Sequence, residues 1–366
     1  MMPALWNPAT AKTQKWYQKP LDGCVSSTGK PYSVLLKKGT VNKLLINFLG
    51  GGMSWNEETA ARPFTIGAIL KKQEAFYISD IHPIQLNFAN AGLFNAGDKR
   101  NPFRDWHMLN IPYVNGDFHM GNNDYNYQSL KAEPKVLHHR GQMNVTMALT
   151  ALIELCPQTP DTLVIMGLSA GGHGCVAHAP HIQNLYPDCK HVIVYSEGTS
   201  INSPLWPKIA KDVWKVRPDL AAYIKGESLI ANLFGYARDH MPPSTLFLHS
   251  NSVWDKALVE MMYKMNHGRQ IVNTKALTEF HNTLIETVKA LKDEIPNYYY
   301  YLTDYGKSKK DGTTPHIFAG TPKLLYSEMQ DGISVADWLV NAINGDLGDV
   351  GSKFIKNKPY SGGRMK

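Results

Sequence analysis

Residues 161–177 read DTLVIMGLSAGGHGCVA and leave few folds open. The first half is a continuous apolar run, the pattern of a strand buried on both faces. The second half predicts a helix over 170–182. At the joint, Gly167-Leu168-Ser169-Ala170-Gly171 fits Gly-x-Ser-x-Gly. A sharp strand-to-helix turn of this kind forces the serine backbone into strain and lifts its hydroxyl clear, so the neighbours must be small. Gly167, Ala170, Gly171 and Gly172 meet that need. The competing reading is a glycine-rich helix start with Ser169 as an N-cap.

The same alternation runs through the chain. Strands are predicted at 43–49, 106–114, 161–168, 191–198, 245–250 and 298–304, and helices over 141–156, 206–240, 254–267, 274–292 and 333–343. Continuous apolar strands separated by helices predict an α/β fold with a mostly parallel central sheet flanked by helices. A hydrophobic content of 43% in 366 residues is ample for one large core. We expect a single domain over 1–366, with a helical insertion at about 199–240 and a short basic tail of Lys353, Lys356, Lys358, Arg364 and Lys366. The net charge of +7 forms no clustered stripe, so no nucleic-acid partner is expected. No apolar run is long enough for a membrane span. Cys24, Cys156, Cys175 and Cys189 lack metal-type spacing and are expected as free thiols. With no charged and apolar leader at the start, a cytoplasmic location is expected, or a secreted one if the sequence is a mature form.

Ligands of such sheets bind beyond the carboxyl ends of the strands, so the loops directly after strands carry the chemistry. A serine nucleophile needs a base, and in this fold the chain order is serine, acid, histidine. Asp255 follows the second strand after Ser169, and His316 follows the last strand. The expected triad is therefore Ser169, Asp255 and His316. Glu197 ends the intervening strand and is the competing acid, with loop bracing as its bland role. Asp255 also suits a helix cap. His267 and His281 fall inside predicted helices. For the oxyanion, amides are expected from Ala170 and from the loop NFLGGGMSW (47–55), at Gly52 and Met53. A phosphate-binding loop is the alternative for those glycines, but no Gly-Lys-Ser/Thr follows them.

With these residues identified, the chain resembles the pectin acetylesterase/Notum family of α/β-hydrolases. The resemblance rests on GGGMSW (50–55), NIPYVNGDFHMGN (110–122), GLSAGGHG (167–174), Asp255 and TTPHIFAG…DGISVADWL (313–339). It implies an α/β-hydrolase fold and a serine esterase that removes acyl groups from hydroxyls, with Ser169, Asp255 and His316 as its triad. In the family the glycine loop usually continues Trp-Cys, where this chain has Met53-Ser54-Trp55. Cysteine often follows Ile-Pro-Tyr, where this chain has Val114. Members are typically secreted and disulfide-linked.

The polar segment NGDFHMGNNDYNY (115–127) has two readings. Asp117 and His119 hold the substrate or the catalytic loops, or the segment is a self-bonded turn cluster. His173, His178 and His181 are expected on a helix surface rather than around a metal. Trp55 and Trp206 are candidate sugar platforms, although core packing explains most tryptophans, and strand burial explains the tyrosines 298–301. The expected function is hydrolysis of short-chain esters, acetyl above all, of a carbohydrate-like alcohol through an acyl-enzyme. The partner is a small-molecule or glycan ester, and neither metal nor organic cofactor is expected. A deacylase for longer chains and an inactive binding module with the same fold are the alternatives.

Overall fold

The computed structural model describes residues 3–81 and 91–356. Its strands are β1 (Ala4–Leu5), β2 (Trp16–Val25), β3 (Pro31–Lys37), β4 (Lys43–Phe48), β5 (His107–Ile111), β6 (Asn123–Gln128), β7 (Pro134–His139), β8 (Thr162–Leu168), β9 (His191–Glu197), β10 (Leu246–Ser252) and β11 (Tyr298–Thr303). Nine of these form one sheet in the order β1-β2-β3-β5-β4-β8-β9-β10-β11, and β6 and β7 form a separate antiparallel hairpin. From β5 to β11 every neighbouring pair in the sheet is parallel. The pairs β2–β3 and β3–β5 are antiparallel.

The fully apolar strands are buried because both faces are covered. Leu44, Ile46, Leu163 and Ile165 point into one core, and their neighbours Leu45, Val164 and Met166 into another. Helices α1 (Gly141–Leu155), α2 (Ala170–Gln183), α3 (Leu229–His240), α4 (Lys256–His267) and α5 (Thr274–Glu294) contribute to the first core. Helix α6 (Val335–Asn344) contributes Trp338 and Leu339 to the second. The mostly parallel sheet of an α/β-hydrolase is thus present, with an antiparallel margin that the sequence pattern missed. Strand β2, WYQKPLDGCV, carries Lys19, Pro20 and Asp22 on a half-exposed element, which weakens the strand signal.

The predicted helix over 206–240 is broken into short pieces, a π-helical turn at Ile209–Val213, Pro218–Ala221 and α3. The breaks have local causes. Lys215 has φ +49°, and Arg217 takes the extended conformation that a following proline imposes. All four cysteines are buried and unpaired. Burial pushes the Cys24 and Cys156 thiols up to about 11. Lys353 and Lys356 lie in a final short helix, whereas Lys358, Arg364 and Lys366 of the basic tail fall outside the described residues. Among the described residues no helix is long and apolar enough to cross a membrane.

Candidate active site

Ser169 follows β8 directly and has φ +55° and ψ −124°, a region that residues with a side chain rarely adopt. The neighbours hold it there. Its amide donates to the Glu197 carbonyl at 2.7 Å, and its own carbonyl accepts from Gly172 N–H at 2.8 Å. Its hydroxyl caps no helix amide, which removes the N-cap reading. A Cβ on Gly50 would lie 2.3 Å from the Leu168 carbonyl oxygen and 2.8 Å from the Ser169 Cβ. The glycine loop after β4 therefore lies directly against the elbow.

Asp255 starts α4 and serves two partners. Its Oδ1 accepts from Leu258 N–H at 3.0 Å as a helix cap, and its Oδ2 accepts from His316 Nδ1–H at 2.6 Å. A carboxylate only accepts, so the ring proton belongs on Nδ1. Backbone pairing creates this contact. Thr314 N–H donates to the Trp254 carbonyl at 2.9 Å, and Lys256 N–H donates to the Thr314 carbonyl at 3.3 Å. The Ser252 hydroxyl anchors the Pro315 carbonyl at 2.6 Å. His316, one residue on, is thereby laid over Asp255. Gly198 closes the gap to the elbow: a Cβ there would sit 3.2 Å from His316 Cε1. Burial pulls the His316 pKa down, but Asp255, by charge and hydrogen bond, and then Glu197 outweigh it and leave a net upward shift.

Glu197, the competing acid, is fully buried and engaged elsewhere. Its carboxylate accepts from Phe318 N–H, from Ala319 N–H at 3.2 Å and from the Tyr195 hydroxyl at 2.7 Å. Burial raises its pKa against these donors.

A cavity of about 40 Å³ adjoins Ser169. Gly52, Met53, Phe118, His173, Ile201 and Met261 are among its walls. Ala170 opens α2, so its amide has no intrahelical acceptor. Gly52, at φ +77°, also has an unspent amide among the described residues, and a Cβ there would lie 1.9 Å from the Phe76 carbonyl oxygen. Met53 departs from expectation. Its amide donates to the Phe76 carbonyl at 2.7 Å, so the residue offers its side chain to the cavity and not a free N–H.

The three expected substrate contacts are corrected by burial. Trp55 is 5% exposed and packs edge-on against Phe76, with ring centroids 5.3 Å apart. It is a core residue. Asp117 is fully buried, and its carboxylate accepts from Gly141 N–H at 2.8 Å and His119 N–H at 3.1 Å. Burial pushes its pKa up to about 7 against those bonds. His119 Nε2–H donates to the Leu49 carbonyl at 2.9 Å, and its own carbonyl accepts from His178 Nε2–H at 2.8 Å. His119 thus braces the glycine loop at Leu49, and Asp117 braces the segment that carries His119 against the start of α1. Between them Phe118, at φ +52°, is the residue that reaches the cavity, stacked on His173 with centroids 4.2 Å apart. Trp206 is likewise buried and donates to the Ile201 carbonyl at 3.0 Å.

His173 and His178 are buried and not on a helix surface; only His181 of that group is exposed. His267 pairs with Glu279 at 2.9 Å, and His281 stacks on Trp254. The sequence reading did not single out Phe118 or Met261. A signal existed for both: Phe118 interrupts a polar run, and Met261 follows the acid by about one and a half helical turns.

A second, open cavity of about 400 Å³ has His316 in its wall. Lys256, Glu260, Ser308 and Thr313 are among its walls. His316 lines this larger cavity, and Ala257 lines both it and the small chamber beside Ser169.

The model of the pectinacetylesterase family matches residues 21–202, a stretch that carries the glycine loop, the Asp117 loop and the Ser169 elbow and ends before Asp255 and His316. A search of curated proteins found no match. The chain belongs to the pectinacetylesterase family of carboxylic ester hydrolases.

Proposed function

We propose that the protein is a serine esterase that removes short acyl groups, acetyl above all, from a carbohydrate-like alcohol. The observation that carries this reading is the strained Ser169, its hydroxyl unspent, in the wall of a 40 Å³ cavity. That space is small and walled mostly by apolar groups, which suits a short acyl group better than a long one. The larger cavity that His316 lines has Lys256, Glu260, Ser308 and Thr313 in its walls, groups that can hydrogen-bond a hydroxylated leaving group.

Ser169 Oγ attacks the acyl carbon and passes its proton to His316 Nε2. Asp255 holds the ring so that Nε2 is free to accept, and it stabilises the imidazolium that results. The amides of Ala170 and Gly52 donate to the developing oxyanion. The tetrahedral intermediate collapses as His316 returns the proton to the leaving alkoxide, which departs as the free alcohol. Water then attacks the acyl-serine, His316 takes a proton from it, and the carboxylic acid and free Ser169 are released.

A series of p-nitrophenyl esters tests this together with Ser169→Ala. Acetate is expected to give the highest kcat/KM, since each added methylene changes discrimination by about 1–3 kcal/mol. An optimum at octanoate would favour a long-chain deacylase. Ser169→Ala should lose fluorophosphonate labelling and about 10⁵–10⁶ in kcat. Label retained at another serine overturns the nucleophile, and no label on the folded parent favours a binding module.

A further inference from the structure

We propose that Glu197 is a positioning residue of the esterase reaction, tying the Ser169 elbow to the His316 loop through its main chain on one side and its carboxylate on the other. This rests on the serine-esterase reading above. The Glu197 carbonyl accepts from Ser169 N–H at 2.7 Å. The carboxylate of the same residue holds the amides of Phe318 and Ala319, two and three residues beyond His316. Between these contacts lies Gly198, against the His316 ring.

No other described residue grips both segments in this way. Asp255 fixes the ring of His316 at Nδ1 but has no bond to the elbow. Glu197 fixes the chain that carries the ring, and fixes it to the residue whose hydroxyl the ring must reach. The carboxylate meets donors alone: two amides and the Tyr195 hydroxyl. Tyr195 in turn has Ser250 Oγ at 2.8 Å, so a serine proton can satisfy the tyrosine oxygen while the tyrosine proton faces Glu197. That set of partners selects the ionised form, because a protonated or amidated side chain would turn a hydrogen toward a donor. A buried carboxylate so satisfied is costly to alter on either side.

The charge acts on His316 as well. The charged groups around that ring are Asp255 at the start of α4, Glu197 at the end of β9, and Lys256 and Glu260 in the walls of the cavity that His316 also lines. Asp255 dominates and Glu197 adds to it in favouring the imidazolium.

Three variants and two readouts test the proposal: Glu197→Gln, Glu197→Asp and Tyr195→Phe, with steady-state hydrolysis of p-nitrophenyl acetate and NMR titration of ¹³C-labelled His316. Glu197→Gln is expected to lower kcat by roughly tenfold with KM little changed, the size of effect a small misplacement of a catalytic group produces. Its His316 titration should move to lower pH. Glu197→Asp keeps the charge but is too short to hold both amides, so kcat falls while the His316 titration stays near that of the parent. Tyr195→Phe retains the carboxylate and both amides and should affect both readouts least. Parent-like kcat in folded Glu197→Gln, or an unmoved His316 titration in it, overturns the proposal. If Glu197→Gln does not fold, parent-like kcat in Glu197→Asp overturns it. A parent inactive on every ester would sink the esterase reading instead, and the titration would still decide whether Glu197 and His316 are coupled.

Discussion

Asp255→Asn separates orientation from folding more cleanly than any other change in this site. The two carboxylate oxygens have different partners, Leu258 N–H at 3.0 Å and His316 Nδ1–H at 2.6 Å. Asparagine caps helices about as well as aspartate, so the amide oxygen keeps the Leu258 bond and the NH₂ turns to the imidazole. Nδ1 must then accept, and the ring proton moves to Nε2. In the proposed mechanism that is the nitrogen that takes the Ser169 proton. A wrong tautomer of this kind costs about 10⁴ in kcat, or about 5.4 kcal/mol at 1.36 kcal/mol per decade. Because the cap survives, stability should change by less than about 1 kcal/mol, roughly 2–4 °C in Tm or less for a chain of this size. Loss of the carboxylate charge also removes the main upward pull on His316, so the acid limb of the residual activity should move to lower pH. The assay is kcat for p-nitrophenyl acetate across pH, with thermal melts of the same samples. A loss smaller than about tenfold would refute the orientation argument. If Glu197→Gln costs more than Asp255→Asn, the acid is Glu197 and the account of both residues is wrong.

Asp117→Ala should destabilise the fold by about 2–6 kcal/mol, since it leaves the buried amides of Gly141 and His119 without an acceptor at roughly 1–3 kcal/mol each. Urea unfolding reads this, and an unchanged midpoint would mean that the loop is not braced by the carboxylate. Stability should also fall as pH drops below about 6.5, the ordinary histidine value. Burial holds His119 at about 4 and His139, His173 and His249 at about 3, so the unfolded chain binds protons that the folded one refuses. Asp117, raised to about 7, binds one proton the other way. These five groups alone leave about three more protons on the unfolded chain near pH 5, a slope of about 4 kcal/mol per pH unit with stability rising as pH rises; buried His178 adds to that side, and Glu197 and His316, shifted upward, subtract from it. A Tm that stays flat from neutral pH to about pH 4.5 would contradict the buried, neutral state of these rings.

What could be read from the sequence follows a physical division. The central parallel strands announce themselves because burial on both faces demands uninterrupted apolar runs, as in TLVIMGL. The residues following those strands, Ser169, Asp255 and His316, could be ordered by counting strands. The margin of the sheet gives no such signal, since β2 is half-exposed and polar. The Met53 amide is spent on the carbonyl of Phe76, a backbone group whose position depends on a loop that no local pattern specifies. Trp55 has the composition of a sugar platform, and only packing against Phe76 places it in the core. Asp117 and His119 were legible as a polar cluster, but their partners are backbone groups of Gly141 and Leu49, distant in sequence.

The contact between the glycine loop and the elbow limits how this protein can change. Besides the close approach at Gly50, a Cβ on Gly167 would lie 2.0 Å from the Gly171 carbonyl oxygen, and one on Gly171 would lie 1.9 Å from the Phe48 carbonyl oxygen. Each obstacle is main chain, so no second substitution can make room by trimming a neighbour. Positions 50, 167 and 171 therefore form a locked set in which neither a single exchange nor a compensating pair opens a route to another residue. Drift in substrate range has to enter from the opposite wall of the small chamber, where α4 supplies Ala257 and Met261 as side chains that selection can resize one at a time.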